Sequence, residues 1–460
     1  MTSVDIYSLN GLPAPYWFIQ LFKVLGFILH SIPMHLWLAG LPLALILLLI
    51  GGANGKTFAR RLLKQMPIIM AFGINLGIVP LLFIQVAYYK VFYPATILMA
   101  WHWLGILALV LPAYYLLYLT GALVDSGQKW RPALSGLVAS VLLVAAGLIF
   151  TGAWTLMSAP ESWPELWRAK SLAGAATGFG SNWSDPVVFL RFVSICGLAL
   201  LTVTFWLLFD SHVLFTQKKS VKRPASGRPK PQITDFMDNP YLSEKRKQKL
   251  QYRRRQGQLS EEEELEALEY GYGDTEPQEE ENVSDRSVDS EAYQRWTKRF
   301  ASVLVWFGAC VAFGSLWFYY YKVLDGPDSV TGVHEASMVS DPSQIEVDDS
   351  APERIVPIWL PPVTFAGIGL FAIVTFLGSI GKLEGKLLVT LVGLAEAVTL
   401  TFFAITRQII QNEQIKDYLD VRSIPVQLQL SPLLVFLLVF LFGAALVYWM
   451  VYAMAKTVKR

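Results

Sequence analysis

Charge and cysteine are what this sequence has least of. Charged residues make up 16% of the chain against 54% hydrophobic and 13% aromatic, a balance that excludes an ordinary water-soluble domain. Two cysteines, Cys196 and Cys310, both inside apolar runs, exclude a disulfide framework, a CxxC metal site and the CxxCH motif that ties haem covalently. Any cofactor is therefore held without a covalent link. A net charge of +2 excludes nucleic acid as a partner on bulk electrostatics. The basic start, short apolar core and cleavage site of a secretory signal are missing too, so the first apolar run is expected to stay on as a helix. The lack of an internal repeat argues against a transporter built from inverted halves.

What the sequence has in quantity is long apolar runs. Nine of them reach the roughly 20 residues that cross a ~30 Å hydrocarbon core: 18–50, 66–92, 97–124, 133–157, 187–213, 300–322, 357–380, 387–411 and 432–455. The expected fold is all-α, a polytopic membrane bundle of about nine transmembrane helices. Lys56, Arg60, Arg61 and Lys64 are expected in the loop after span 1, Lys129 and Arg131 in the loop after span 3, Lys382 and Lys386 in the loop after span 7, and Lys456, Lys459 and Arg460 in the tail, while the insert after span 5 is heavily basic. Basic residues collect on the cytoplasmic side, so the N-terminus is expected outside and the C-terminus in the cytoplasm. Arg168 and Lys170 are mild exceptions on the outer side.

Between two membrane parts, 1–213 and 300–460, the segment 214–299 changes composition. Its first half is basic, from Lys218 through Arg253 to Arg255, and its second half carries Glu261 to Glu264 and Glu279 to Glu281. So little apolar surface predicts a largely disordered cytoplasmic insert whose basic half rests on anionic lipid. Within it, Ser260 followed by Glu263 predicts a capping box opening a short helix that ends before Gly271.

Ionisable groups inside a bilayer are costly, which makes each a candidate for function. His30 and His35 lie in span 1, where Pro33 and Pro42 predict a kink and free the carbonyl near Leu29. His102 lies near the outer end of span 3 between Trp101 and Trp103. Neutral imidazole is a common axial ligand of haem iron, so His30 and His102 are candidate ligands of a haem b, each against the plainer reading of a hydrogen-bonded core residue. Glu396 is a carboxylate well inside span 8, fit for a proton path or a cofactor shell. Arg191 and Arg407 suit haem propionates or lipid phosphates, with snorkelling to the interface as the plain alternative. Met157 and the two cysteines read as packing, His212 as interfacial and His334 as solvated. Gly136, Ser140, Gly147 and Thr151 mark close helix packing.

Four strings carry a resemblance: Phe72-Gly73-Ile74-Asn75 opening span 2, Trp154 through Pro160 ending span 4, Asp185-Pro186-Val187 leading to Arg191-Phe192-Val193, and Arg407-Gln408 ending span 8. Together with the helix count, order and orientation, they resemble subunit I of the cytochrome bd quinol oxidases over nearly all nine spans. That resemblance implies a scaffold for three haems that takes electrons from quinol outside and reduces oxygen. It places the span 1 haem ligand on His30. The two ligands of the low-spin haem fall on Ser194 and Phe365, the glutamate of the second high-spin haem on Ala404, and the paired span 3 acids on the stretch from Trp101 to Leu109, where His102 offers an imidazole. The quinol loop is represented only by the short acidic segment from Asp325 to Glu353.

The reading is therefore a divergent bd-like oxidoreductase subunit in the inner membrane of a bacterium or archaeon. It would hold one haem between His30 and His102, with Glu396, Arg191 and Arg407 near it. Implied partners are other membrane subunits, a second bd-like subunit among them, and a c-type cytochrome or other redox subunit on the outer face. A cofactor-free membrane anchor or assembly subunit of the same fold is the rival. A transporter using Glu396 as its ion site ranks third.

Overall fold

The computed structural model describes residues 11–215, 235–239, 242–269, 289–325, 356–357 and 359–458. They form two units, 1–215 with 288–460 and 216–287, taken here one at a time.

The larger unit is a helix bundle. Its elements are α1 Tyr16–His35, α2 Leu41–Ile50, α3 Ala53–Ala87, α4 Tyr89–Leu98, α5 Ala100–Leu123, α6 Trp130–Met157, α7 Trp163–Ala169, α8 Pro186–Phe209, α11 Ser290–Tyr320, α12 Leu360–Ser379, α13 Gly385–Gln414 and α14 Leu430–Val458; α9 and α10 belong to the smaller unit. A short antiparallel hairpin, β1 Ser171–Leu172 with β2 Ala175–Ala176, follows α7. Among the described residues, eight helical stretches are long and apolar enough to cross a membrane. The last expected run, 432–455, falls on α14, whose counted apolar part is the shorter Leu430–Ala445. Apolar side chains also face outward, as in the stripe Leu104, Leu107, Leu111 and Tyr115 on α5, which is the surface a lipid-embedded helix requires. The chain is a multi-pass membrane protein.

Each long helix packs chiefly on the next span along the chain: α1 on α3, α5 on α6, α8 on α11, α12 on α13. At Gly197 the α8 backbone meets α11, and a Cβ there would lie 2.4 Å from the backbone nitrogen of Ala312. The first span runs from Tyr16 to Ile50, 35 residues, or about 50 Å at ~1.5 Å per residue. It accommodates Pro42 through a wide turn at Leu36–Gly40, where the Leu41 N–H reaches back five residues to the carbonyl of Leu36. The irregularity expected from the two prolines therefore sits about two turns beyond Leu29, at Leu36–Gly40. A second wide turn, Asp210–Leu214, ends the α8 span. Asp185 opens α8 by accepting from the Val187 N–H, with Pro186 in the first turn.

Two local expectations change. Lys56, Arg60, Arg61 and Lys64 lie on α3 and not in a loop; lysine and arginine are good helix formers, and only Gly51 and Gly52 separate α2 from α3. Residues 290–299 belong to α11, which Asp289 caps by accepting from the Glu291 N–H at 3.2 Å. The end of the chain from Leu12 is tied to the segment before α14, with Leu12 N–H on the Pro425 carbonyl at 2.9 Å and Gln427 N–H on the Leu12 carbonyl at 2.8 Å.

The smaller unit holds two helices, α9 Glu244–Arg255 and α10 Glu261–Glu269. The capping box is reciprocal: Glu263 N–H donates to Ser260 Oγ at 3.2 Å and Ser260 N–H to the Glu263 carboxylate at 3.4 Å. Against the expectation of a segment without a core, Phe236, Leu242 and Ala267 form a small buried cluster. The Asn239 side chain donates to the Ala267 carbonyl at 2.9 Å and helps to close it. Few apolar residues suffice here because Phe236 alone is wholly buried. The parts of the acidic and basic tracts at 216–234 and 270–288 lie outside the described residues, as do His334 and most of the segment from Asp325 to Glu353.

Candidate functional site

The site grows from one face of α1. Lys23, Phe27 and His30 are spaced by four and three residues, which stacks them along a single stripe. The His30 ring lies on α3, where Gly73 and Gly77 leave room for it. A Cβ on Gly77 would stand 2.8 Å from His30 Nδ1, and one on Gly73 would run into Trp37 at 2.0 Å. His30 Nδ1 is 2.8 Å from the Gly73 carbonyl. A carbonyl only accepts, so Nδ1 carries the hydrogen and Nε2 keeps its lone pair. That is the arrangement by which proteins orient an imidazole toward a metal. Trp37 sits edge-on to the same ring at 6.0 Å.

Toward the start of α1, two cations meet the ring of Trp154 on α6 and a third, Arg191, bonds its neighbour Thr155. Arg407 from α13 is sandwiched between Trp154, 3.5 Å from its ring centroid, and Phe27, at 4.1 Å. Lys23 is 2% exposed; its Nζ donates to Gln411 Oε1 at 3.2 Å and lies 3.4 Å over the Tyr88 ring and 5.3 Å from Trp154. Arg191 from α8 donates to Thr155 Oγ1 at 3.1 Å and to Gln414 Oε1 at 3.2 Å.

Among the described residues, none of these three cations has a carboxylate within 4.0 Å. The surplus extends to single donor atoms, one on Arg191 itself and two on neutral side chains. Arg191 Nε, Trp154 Nε1 and Gln411 Nε2 are buried without a hydrogen-bond partner. Buried polar groups in native proteins are nearly always paired, and unneutralised buried charge is costly. What this site lacks is an acceptor with negative charge.

Beside it, a neutral ladder joins α1, the junction of α3 and α4 at Tyr88, and α13. The Tyr88 hydroxyl receives hydrogen bonds from Gln20 at 2.7 Å and Gln408 at 2.8 Å and donates to Asn412 at 2.6 Å; Asn412 donates in turn to the Tyr16 hydroxyl at 2.9 Å. It holds α13 in register, so that Arg407 and Gln411 face α1.

The other candidates lie elsewhere. His102, in the first turn of α5, faces Phe179 at 6.4 Å and Trp183 at 6.0 Å, and its Nδ1 is buried without a partner. It shares no ring neighbour with His30. Glu396 lies about three turns from Arg407 along α13, in the centre of the bundle, where Thr202 of α8 donates to its Oε1. Ser194 donates to the Leu190 carbonyl at 2.7 Å. Phe365 is enclosed by Phe313, Trp317 and Tyr320 at 4.6, 6.3 and 5.8 Å. Met157 is 3% exposed within an apolar cluster that includes Trp154.

Sequence reasoning missed Lys23, which stands close enough to the start of span 1 to read as an interfacial residue. The signal that finds it is its spacing of seven from His30. Among the described residues no group of three or more histidine, cysteine, aspartate or glutamate side chains could hold a bare metal ion. No family model matches the chain, and neither curated proteins nor solved structures give a match.

Proposed function

We propose that this chain is the haem-binding membrane subunit of a bd-like electron-transfer complex, with nine spans, the N-terminus outside and the C-terminus in the cytoplasm of a bacterium or archaeon. The observation that carries the reading is the donor surplus around Trp154. Lys23, Arg191 and Arg407 supply three positive charges with no carboxylate within 4.0 Å among the described residues, and Lys23 shares the α1 stripe with an imidazole whose Nε2 keeps its lone pair for a ligand bond. A haem is an amphiphile of that pattern, with iron in an apolar plane and two carboxylates along one edge.

The residues present fit such a group by the chemistry of their donors. His30 would ligate the iron, held in its tautomer by the Gly73 carbonyl. Arg407, Lys23 and Arg191 would take the carboxylates, with Trp154 Nε1 and Gln411 Nε2 as further donors, each worth more in a low-dielectric interior than in water. Phe27 and Trp37 exclude water from the imidazole. A haem bound there supplies a one-electron couple. His102 and Glu396, read above as part of the same shell, stand apart from this set. The expected partners follow from that role: further membrane subunits, a bd-like one included, and a redox protein such as a c-type cytochrome at the outer face.

A cofactor-free anchor is favoured by one specific observation. At the positions that correspond to the low-spin haem ligands, Ser194 turns back onto its own helix and Phe365 sits in an aromatic cluster. The two readings separate on the purified chain. Haem binding at His30 predicts a reduced-minus-oxidised haem spectrum, with haem b by pyridine haemochrome, that His30→Ala abolishes without loss of folded yield. Absence of haem in folded wild-type protein, with reconstitution also failing, leaves the anchor.

A further inference from the structure

Away from the cation site, three polar side chains from three helices meet in the middle of the apolar core. His35 is 1% exposed, Thr202 0% and Glu396 4%. His35 Nδ1 is 2.7 Å from Thr202 Oγ1, and the same hydroxyl bonds Glu396 Oε1. The second carboxyl oxygen, Oε2, is buried with no partner. Leu36, Leu198, Leu201 and Ala395, all buried, flank the three residues along their helices.

The Thr202 hydroxyl also lies 3.3 Å from the Leu198 carbonyl of its own helix, a longer contact than the one to His35, and between the imidazole nitrogen and the carboxyl oxygen it can be satisfied in two ways. Either His35 Nδ1–H donates to Thr202 and Thr202 donates to Glu396, or the Glu396 carboxyl donates to Thr202 and Thr202 donates to His35. Both use every atom of the chain, and they differ only in where one proton sits.

We propose that His35, Thr202 and Glu396 form a buried proton wire. In one direction the O–H bond of Glu396 breaks as Thr202 Oγ1 gains that proton, and the original Thr202 O–H bond breaks as the Nδ1–H bond of His35 forms. A neutral acid and a neutral imidazole become a carboxylate and an imidazolium, with net charge unchanged; the reverse shift restores them. The neutral form is the resting one, because separated charges in an apolar interior pay a large desolvation cost.

Among the described residues no fixed charge touches the wire. Arg191 and Arg407 lie about three turns away along α8 and α13, and Asp210 lies about two turns the other way on α8, where Arg61 neutralises it. His30 is five residues back on α1. A change of charge at any of these would tilt the proton between the two ends, so the wire can answer an electrical event elsewhere in the bundle. It stands whether or not a cofactor binds at His30.

Infrared difference spectroscopy of the full chain in detergent tests this. The wild type is expected to show the carbonyl band of a protonated carboxylic acid that shifts in deuterated water and is missing in Glu396→Gln. Thr202→Val, which keeps the volume and removes only the hydroxyl, is expected to raise the frequency of that band, and Thr202→Ser to restore it. His35→Gln is expected to slow deuteration of the carboxyl. A band that Thr202→Val leaves unmoved and that deuterates at the wild-type rate in His35→Gln overturns the proposal, as does the lack of any band that Glu396→Gln removes.

Discussion

Two cation clusters in this bundle are built on opposite terms. At one end of α3, Arg61 forks onto Asp210 with three hydrogen bonds of 2.9 to 3.1 Å, and the Tyr293 hydroxyl completes the carboxylate at 2.8 Å. Thr297 and Gln294 of α11 bind Ser211 next to it. That cluster is closed, and its charges and donors are spent within the chain, so it ties α3, α8 and α11 together. Around Trp154, among the described residues, three cations and two further side-chain donors, Trp154 Nε1 and Gln411 Nε2, face no carboxylate. A charge cluster complete in itself holds structure; the incomplete one is what the proposed haem site rests on.

The sharpest break between the two is expected from neutralising one member of each. Asp210→Asn leaves Arg61 facing an amide and Tyr293 with a weaker acceptor, and should cost about 3 kcal/mol, the low end for a broken buried pair because Arg61 is 31% exposed. Thermal unfolding in detergent reads this directly. Lys23→Met should act the other way in protein free of ligand. It removes a buried charge from a cluster with no counter-charge, fills the same space, and should leave stability unchanged or raise it by about 1 kcal/mol. A loss comparable to that of Asp210→Asn would show that the Lys23 contacts to Gln411 and Tyr88 matter more than its charge.

A third pair sharpens the comparison from the exposed side. In the smaller unit the Arg253 guanidinium bonds Glu263 at 2.7 Å and, with the Ser260 N–H, holds that carboxyl below its ordinary value of 4.5. A lowered folded value means that the contribution is full above about 4.5 and is lost as pH falls through the lowered value. The effect should be small, since the pair is open to solvent. Amide exchange in the first turn of α10 should speed up below that pH in the wild type, and Glu263→Gln should flatten the dependence.

What could be read from the sequence divides along the same line. Local signals were legible: the apolar runs, the Ser260 and Glu263 capping box, and the isolation of Glu396 and Arg407 in span 8. Pairings across the chain were not. His35 meets Thr202 over 167 residues of sequence, and nothing near either one announces the other. Lys23 looked like the edge of a helix until Trp154 and Tyr88 closed over it. The small core of the insert was hidden because it rests on one aromatic residue in a strongly charged segment. Arg60 and Arg61 read as loop residues because charge was taken to mark a span's end, while the helix runs through them.

The most direct measurement is the unfolding temperature of Arg407→Met beside the wild type, each with and without added haem. Binding to the native state stabilises by mass action, so haem should raise the wild-type value, and Arg407→Met should lose most of that rise while its haem-free value stays level or climbs. A haem-free Arg407→Met that falls as far as Asp210→Asn, with no response to haem in either protein, would contradict the claim that the Trp154 cluster is a ligand site and return Arg407 to the structural class of Arg61.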